Sequence, residues 1–189
     1  MKYDRDRANN HSPQRNRRSI RLQGYDYSRA GAYFLTICVQ GRECIFGEIV
    51  DGEMVLNEYG KIVRDEWIKT GEIRNEIELD EWVVMPNHFH AIVMIPRGDR
   101  PVAPTTATVA PATMALPGSR PQSIGSLMSG FKSAVTKRIN ELRNHPGMKL
   151  WQRNYYDHII RNENELNRIR QYIINNPLNW EIDENYAVL

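Results

Sequence analysis

Cysteine is scarce in this chain: Cys38 and Cys44 are the only two among 189 residues. Two thiols cannot staple a disulfide scaffold, and their spacing is not that of a metal knuckle. They are expected to stay reduced in a cytosol. No apolar run approaches the eighteen or so residues that a spanning helix needs, and no signal-peptide pattern is visible. The expectation is therefore a soluble, cytoplasmic protein. Net charge is also low, at +2, but it conceals a division. Residues 1–29 carry eight Lys and Arg against three Asp and Glu, and residues 124–170 carry nine against four. Residues 41–81 reverse the balance, with five against twelve. Clustered Lys and Arg attract polyanions in a salt-dependent way, although basic tails and helix faces are also common without any partner. An apolar content of 41% can supply a core, and the length suits one compact domain with tails.

The stretch Met85-Pro86-Asn87-His88-Phe89-His90 lies between the apolar runs Trp82–Val84 and Ala91–Ile95. Both flanks read as buried strands joined at Pro-Asn. Side chains alternate along a strand, so His88 and His90 share one face and Phe89 enters a core on the other. Two imidazoles on a rigid strand make half of a divalent-metal site. The plainer alternative is two polar residues on a half-exposed strand.

Some eighty residues on, Asn162 reads as a helix N-cap with Glu165 as its capping-box partner. Leu166, Ile169 and Ile173 give the helical period, and Pro177 ends it. Tyr172 and Asn176 stand four residues apart, on one helix face, where a phenol and an amide could address one target. The proline after Asn176 biases that residue away from helical backbone. A half-buried tyrosine and a simple C-cap would give the same pattern.

The order of elements predicts a fold. Tyr33–Val39 is a strand, residues 43–56 a hairpin turning at Asp51-Gly52, and Asn57 caps a helix bearing Tyr59, Ile62, Val63 and Trp67. The strands Leu79–Met85 and His88–Ile95 follow. A second helix covers about Ile124–Arg143, Tyr155–Ile160 forms a strand, and the Tyr172 helix closes the chain. This is an α+β, ferredoxin-like split βαβ arrangement: an antiparallel sheet with helices on one face plus a C-terminal helix. The domain is expected to span 22–180, after a basic flexible tail (1–21) and before a short tail (181–189). Residues 97–123 hold five of the ten prolines and no amphipathic period, so they are expected to form a flexible insertion.

Four blocks in this order resemble the REP-associated tyrosine transposases, a group of single-tyrosine HUH transposases. The blocks are Trp82-Val83-Val84-Met85-Pro86-Asn87-His88-Phe89-His90, Trp151-Gln152-Arg153, Ile160-Arg161-Asn162 and Tyr172-Ile173-Ile174-Asn175-Asn176-Pro177. The resemblance runs from about Tyr33 to Trp180, and the 97–123 insertion departs from it. It implies the same fold, with the last helix catalytic. It implies that His88, His90 and Asn176 bind a divalent metal, Mg²⁺ or Mn²⁺, and that Tyr172 attacks single-stranded or hairpin DNA to give a 5′-phosphotyrosine. It places DNA recognition near the N-terminus, making Arg15, Arg17, Arg18 and Arg21 candidate phosphate contacts. It also implies a nucleoid-associated, prokaryotic setting and permits a homodimer. Lys132, Lys137 and Arg138 lie on the polar face of the second helix, by default a solvated face, with DNA-backbone contact as the alternative; Arg161 is a further candidate DNA contact. Tyr155 and Tyr156 are rival nucleophiles, of which a strand exposes only one. No general base is legible. A domesticated, non-cutting nucleic-acid binder and a phosphodiesterase that uses water remain the competing functions.

Overall fold

The computed structural model describes residues 26–96 and 122–186. In order, these form β1 (Gly31–Cys38), β2 (Gly47–Val50), β3 (Glu53–Leu56), α1 (Glu58–Ile73), β4 (Glu78–Val84), β5 (His88–Ile95), α2 (Ile124–Leu142), β6 (Tyr156–Ile160) and α3 (Glu163–Asn175). Four strands make a sheet in the order β4-β5-β1-β6, and every neighbouring pair is antiparallel. The β2-β3 hairpin forms its own small sheet. This is the split βαβ order that the sequence predicts. The arginines Arg15, Arg17, Arg18 and Arg21, and all of the Pro-rich insertion except Gln122 and Ser123, lie outside the described residues.

Local chemistry sets the boundaries. Asp51 and Gly52 both have left-handed backbone (φ 51° and 78°), as a two-residue hairpin turn requires. The Asn57 side chain accepts from the amides of Tyr59 and Gly60 and starts α1, and Ser123 and Ser126 close a reciprocal capping box on α2. Asn162 accepts from the Glu165 amide at the start of α3. Glu165 does not complete the predicted box. Its carboxylate takes the Arg161 amide and His158 Nε2, each at 2.8 Å, because β6 brings a second donor to that side. Glu165 therefore ties the end of β6 to the start of α3.

The two faces of the sheet have separate tasks. Tyr33, Leu35, Ile37, Phe89, Ala91 and Val93 point inward against α1 and α2. There Trp67 packs nearly edge-on against Phe89 and Phe131, with ring centroids 4.9 and 5.0 Å apart. Each such pair adds about 0.5–1.5 kcal/mol beyond the area it buries. On the outer face, Ile92 and Ile160 pack against Leu166, Ile169 and Ile173 of α3. Arg170 fixes that helix to β4 by donating through Nε and Nη2 to Asp80 at 2.8 and 2.6 Å. The Asp80 carboxylate is held below its ordinary pKa mainly by this hydrogen bond. α3 is thus anchored at its middle, and its C-terminal turn stands over the histidine end of β5.

Gly60 is buried in the first turns of α1, and a Cβ there would meet the Phe46 carbonyl oxygen at 2.2 Å. Gly60→Ala should therefore destabilise the fold by about 1–3 kcal/mol, overriding the roughly 1 kcal/mol that alanine gains in a helix. The thermal midpoint is expected to fall by several degrees. An unchanged or higher midpoint would show that the hairpin moves aside freely.

Candidate active site

Strand alternation and the β1–β5 register build the first half of the site. His88 and His90 lie on the outer face, and Thr36 of β1 sits directly opposite His90. Neither imidazole is half-exposed: His88 is 0% and His90 1% accessible. Their Nε2 atoms are 3.0 Å apart. Asn87 donates through Nδ2 to the carbonyls of Arg42 and Asn185. Its Oδ1 is therefore the acceptor 2.8 Å from His88 Nδ1, which must carry the hydrogen. His90 Nδ1 lies 2.8 Å from Thr36 Oγ1, and the Leu35 carbonyl favours the protonated ring. His88 therefore presents a bare Nε2 to the Nε2 of His90, a place that a proton or a cation can fill. Burial pushes His88 down to about 4; burial, then the neighbouring His88, holds His90 well below the usual imidazole range. Both rings are neutral at pH 7, the form that ligates metals.

α3 supplies the second half. Tyr172 OH lies 3.3 Å from His90 Nε2, and the phenol is 40% exposed. Asn176, one turn on, is buried. Its backbone is helical (φ −60°, ψ −41°), although a proline follows. The pre-proline bias loses because the turn continues: the Asn179 amide bonds the carbonyls of Asn175 and Asn176. The helical conformation keeps Asn176 in line with Tyr172, as the four-residue spacing predicts.

One residue of the candidate site was not legible among the sequence candidates. Asp183 Oδ2 accepts from the Tyr172 hydroxyl at 3.1 Å and from Asn176 Nδ2 at 2.8 Å, while Oδ1 accepts the Asn185 amide at 2.7 Å. Burial opposes the charge on Asp183. The Asn185 amide, the Asn176 side chain, His88 and the Tyr172 hydroxyl outweigh it and hold the pKa low. Tyr172 moves the other way: burial, then the charge of Asp183, raises its pKa well above the usual phenol value. Asp183 lies in a segment that the sequence suggests is a mere tail. Residues 180–186 instead pack on the site. Trp180 lies against His88, with ring centroids 5.9 Å apart, Arg42 donates to the Glu184 carbonyl, and Asn185 is buried against Asn87. The available signal was Trp180 itself, a large aromatic residue immediately before the expected tail.

His88, His90 and Asp183 each offer a ligand atom, and all three atoms lie within 4.8 Å of one another. Asn176 Oδ1 is buried and has no hydrogen bond. Two neutral imidazoles, a carboxylate and an orphaned amide oxygen form a mixed nitrogen and oxygen donor set that fits Mg²⁺ or Mn²⁺. The other candidates lie elsewhere. Lys132, expected on a solvated face, turns inward and donates to the Gln152 carbonyl at 2.6 Å; burial lowers its pKa. Arg138 pairs with Glu66 at 2.8 Å, Lys137 lies 3.9 Å from Glu141, and Arg161 is exposed at the end of β6. Of the rival tyrosines, Tyr156 faces outward and Tyr155 packs against the core. Tyr156 stands on the edge strand β6, separated from β5 by β1, so the histidines meet Tyr172 instead.

The ferredoxin-like sheet thus sets a histidine pair against the tyrosine of a terminal helix. No family model matches the chain. An uncharacterized protein of Haemophilus influenzae is 39% identical over 171 residues, covering 90% of this chain and 93% of that one. The REP-associated tyrosine transposase of Escherichia coli is 23% identical over 153 residues, 80% of this chain and 69% of that protein. A REP-associated tyrosine transposase solved bound to a REP hairpin superposes with a TM-score of 0.54 at 22% identity, over 82% of this chain and 70% of that one. The chain thus resembles the REP-associated tyrosine transposase in sequence and shares its fold. Among the described residues, no helix is long and apolar enough to cross a membrane.

Proposed function

We propose that this protein cuts and rejoins single-stranded DNA, hairpin-bearing strands included, with Tyr172 as nucleophile. The observation that carries the reading is the Tyr172 hydroxyl, half-exposed yet within 3.3 Å of His90 Nε2 and 3.1 Å of Asp183 Oδ2. A divalent cation held by His88, His90, Asp183 and Asn176 would supply positive charge to a non-bridging phosphate oxygen and so stabilise the transition state. The phenol is neutral at rest, since its pKa is raised. It must lose its proton to attack, and Asp183 Oδ2 is the acceptor already in place. The Tyr172 oxygen forms a bond to phosphorus as the bond from phosphorus to the 3′-oxygen breaks. The products are a 5′-phosphotyrosine and a 3′-hydroxyl once the leaving oxygen takes a proton. The phosphodiester energy is kept in the new ester, so rejoining needs only the return of a 3′-hydroxyl. Asn87 and Thr36 orient the two imidazoles, and the Arg170–Asp80 pair holds the helix that presents the tyrosine.

The test is a covalent protein–DNA adduct on denaturing gels, formed with single-stranded DNA and a divalent metal. Strand cleavage without adduct would instead indicate water as nucleophile, and binding without cleavage a non-cutting binder. The basic N-terminal residues give a separate prediction. Residues 1–21 hold seven Lys and Arg against two Asp. Their removal should weaken DNA binding and flatten its dependence on salt, because each lost phosphate contact lowers the slope by about one. A slope identical to that of the full chain would show that Arg15, Arg17, Arg18 and Arg21 do not touch phosphate.

A further inference from the structure

Beside Tyr172 a cleft of about 730 Å³ opens on the outer face of the sheet, within the range of about 300–1,000 Å³ typical of small-molecule sites. Its aromatic lining is not accounted for by phosphate chemistry. Phe34 of β1 stacks on His90 at 5.3 Å and meets two tyrosine rings nearly perpendicular, Tyr172 at 6.1 Å and Tyr156 at 6.3 Å. Tyr172 approaches from the side of β5, which α3 covers, and Tyr156 stands on β6, on the other side of β1. Thr36 pairs with His90 on one side and with Tyr156 on the other. The row His90, Thr36, Tyr156 therefore crosses three strands, about 10 Å from end to end. That separation is within the reach of one nucleotide. Tyr156 is 44% exposed although its neighbour Asp157 is buried, and the exposed amide of Asn154 stands at the rim of the same cleft.

We propose that this cleft is a nucleobase subsite: an unpaired base flanking the scissile phosphate stacks against Tyr156, over the floor formed by Phe34. The proposal rests on the strand-cutting reading above and names what that site recognises besides phosphate. A base inside a duplex has both faces covered by its neighbours, so only an unstacked strand can fill the cleft. Stacking on an aromatic ring is tolerant of base identity; amides such as Asn154 can donate to or accept from a base edge.

Two labelled strands of equal length test this by fluorescence anisotropy with the full chain: an oligothymidylate, and a strand of the same phosphates bearing abasic sites. Wild type should bind the oligothymidylate more tightly. Tyr156→Ala should lose about 5- to 150-fold in affinity for it, the measured span of base stacking, and bind the abasic strand as wild type does. Tyr156→Phe should keep the preference. A thermal melt of Tyr156→Ala close to wild type is expected, because the ring is half-exposed. If wild type binds neither strand, the strand-cutting reading fails and this one with it. If wild type prefers the base-bearing strand and Tyr156→Ala does so equally, only the subsite is overturned.

Discussion

Tyr172→Phe yields a folded protein that still binds single-stranded DNA and forms no covalent adduct. The substitution removes one oxygen. Asp183 Oδ2 keeps its hydrogen bond from Asn176 Nδ2, and Oδ1 keeps the Asn185 amide, so no buried charge is orphaned. A single lost hydrogen bond from a partly exposed hydroxyl costs about 1 kcal/mol or less. Cleavage, by contrast, should fall by on the order of 10⁴-fold or more, as when a nucleophile is removed from a covalent mechanism. Paired readouts decide the case: anisotropy for binding, denaturing gels for adduct. An adduct formed by Tyr172→Phe at wild-type rate would remove the tyrosine from its role, and Tyr156 would then be the residue to test.

The second large effect concerns the histidine pair. In wild type, Mn²⁺ should raise the thermal midpoint. Binding to the folded state alone contributes about 2.7 kcal/mol at a hundredfold excess over Kd, or about 5–11 °C for a chain of this size. His88→Ala and His90→Ala should each abolish that shift together with cleavage. Asp183→Asn should lose most of the metal shift and slow adduct formation, because it removes the one negative charge in the donor set and the acceptor beside Tyr172. An equal Mn²⁺ shift in wild type and in the double variant His88→Ala, His90→Ala would place the metal elsewhere or nowhere. Chelator should stop the wild type reversibly.

What was legible in the chain follows from short-range geometry. Strand period two puts His88 and His90 on one face with Phe89 on the other, and helix spacing aligns Tyr172 with Asn176. Asp51-Gly52 specifies a tight hairpin, and Asn57 and Asn162 start helices. These depend on residues within a turn or a pleat of each other, and the structure arranges them as that geometry requires. The element order, read from the same periods, was enough for the split βαβ sheet.

Tertiary structure decided everything that depends on contacts between distant residues. Thr36 meets His90 across 54 positions only because β1 and β5 pair in that register. Asn87, a turn residue by sequence, joins His88 to Asn185 and so to Asp183 because the chain after Pro177 folds back over the site. Lys132 has the helical position of a solvated lysine, but the Gln152 and Arg153 carbonyls beside it turn it inward. Glu165 could have closed a box on its own helix, and His158 on β6 drew it away. Whether a histidine on a strand is a solvated surface group or a buried one depends on what covers it. Here the cover is α3 and the segment 180–186, and no local period in the sequence encodes where they land.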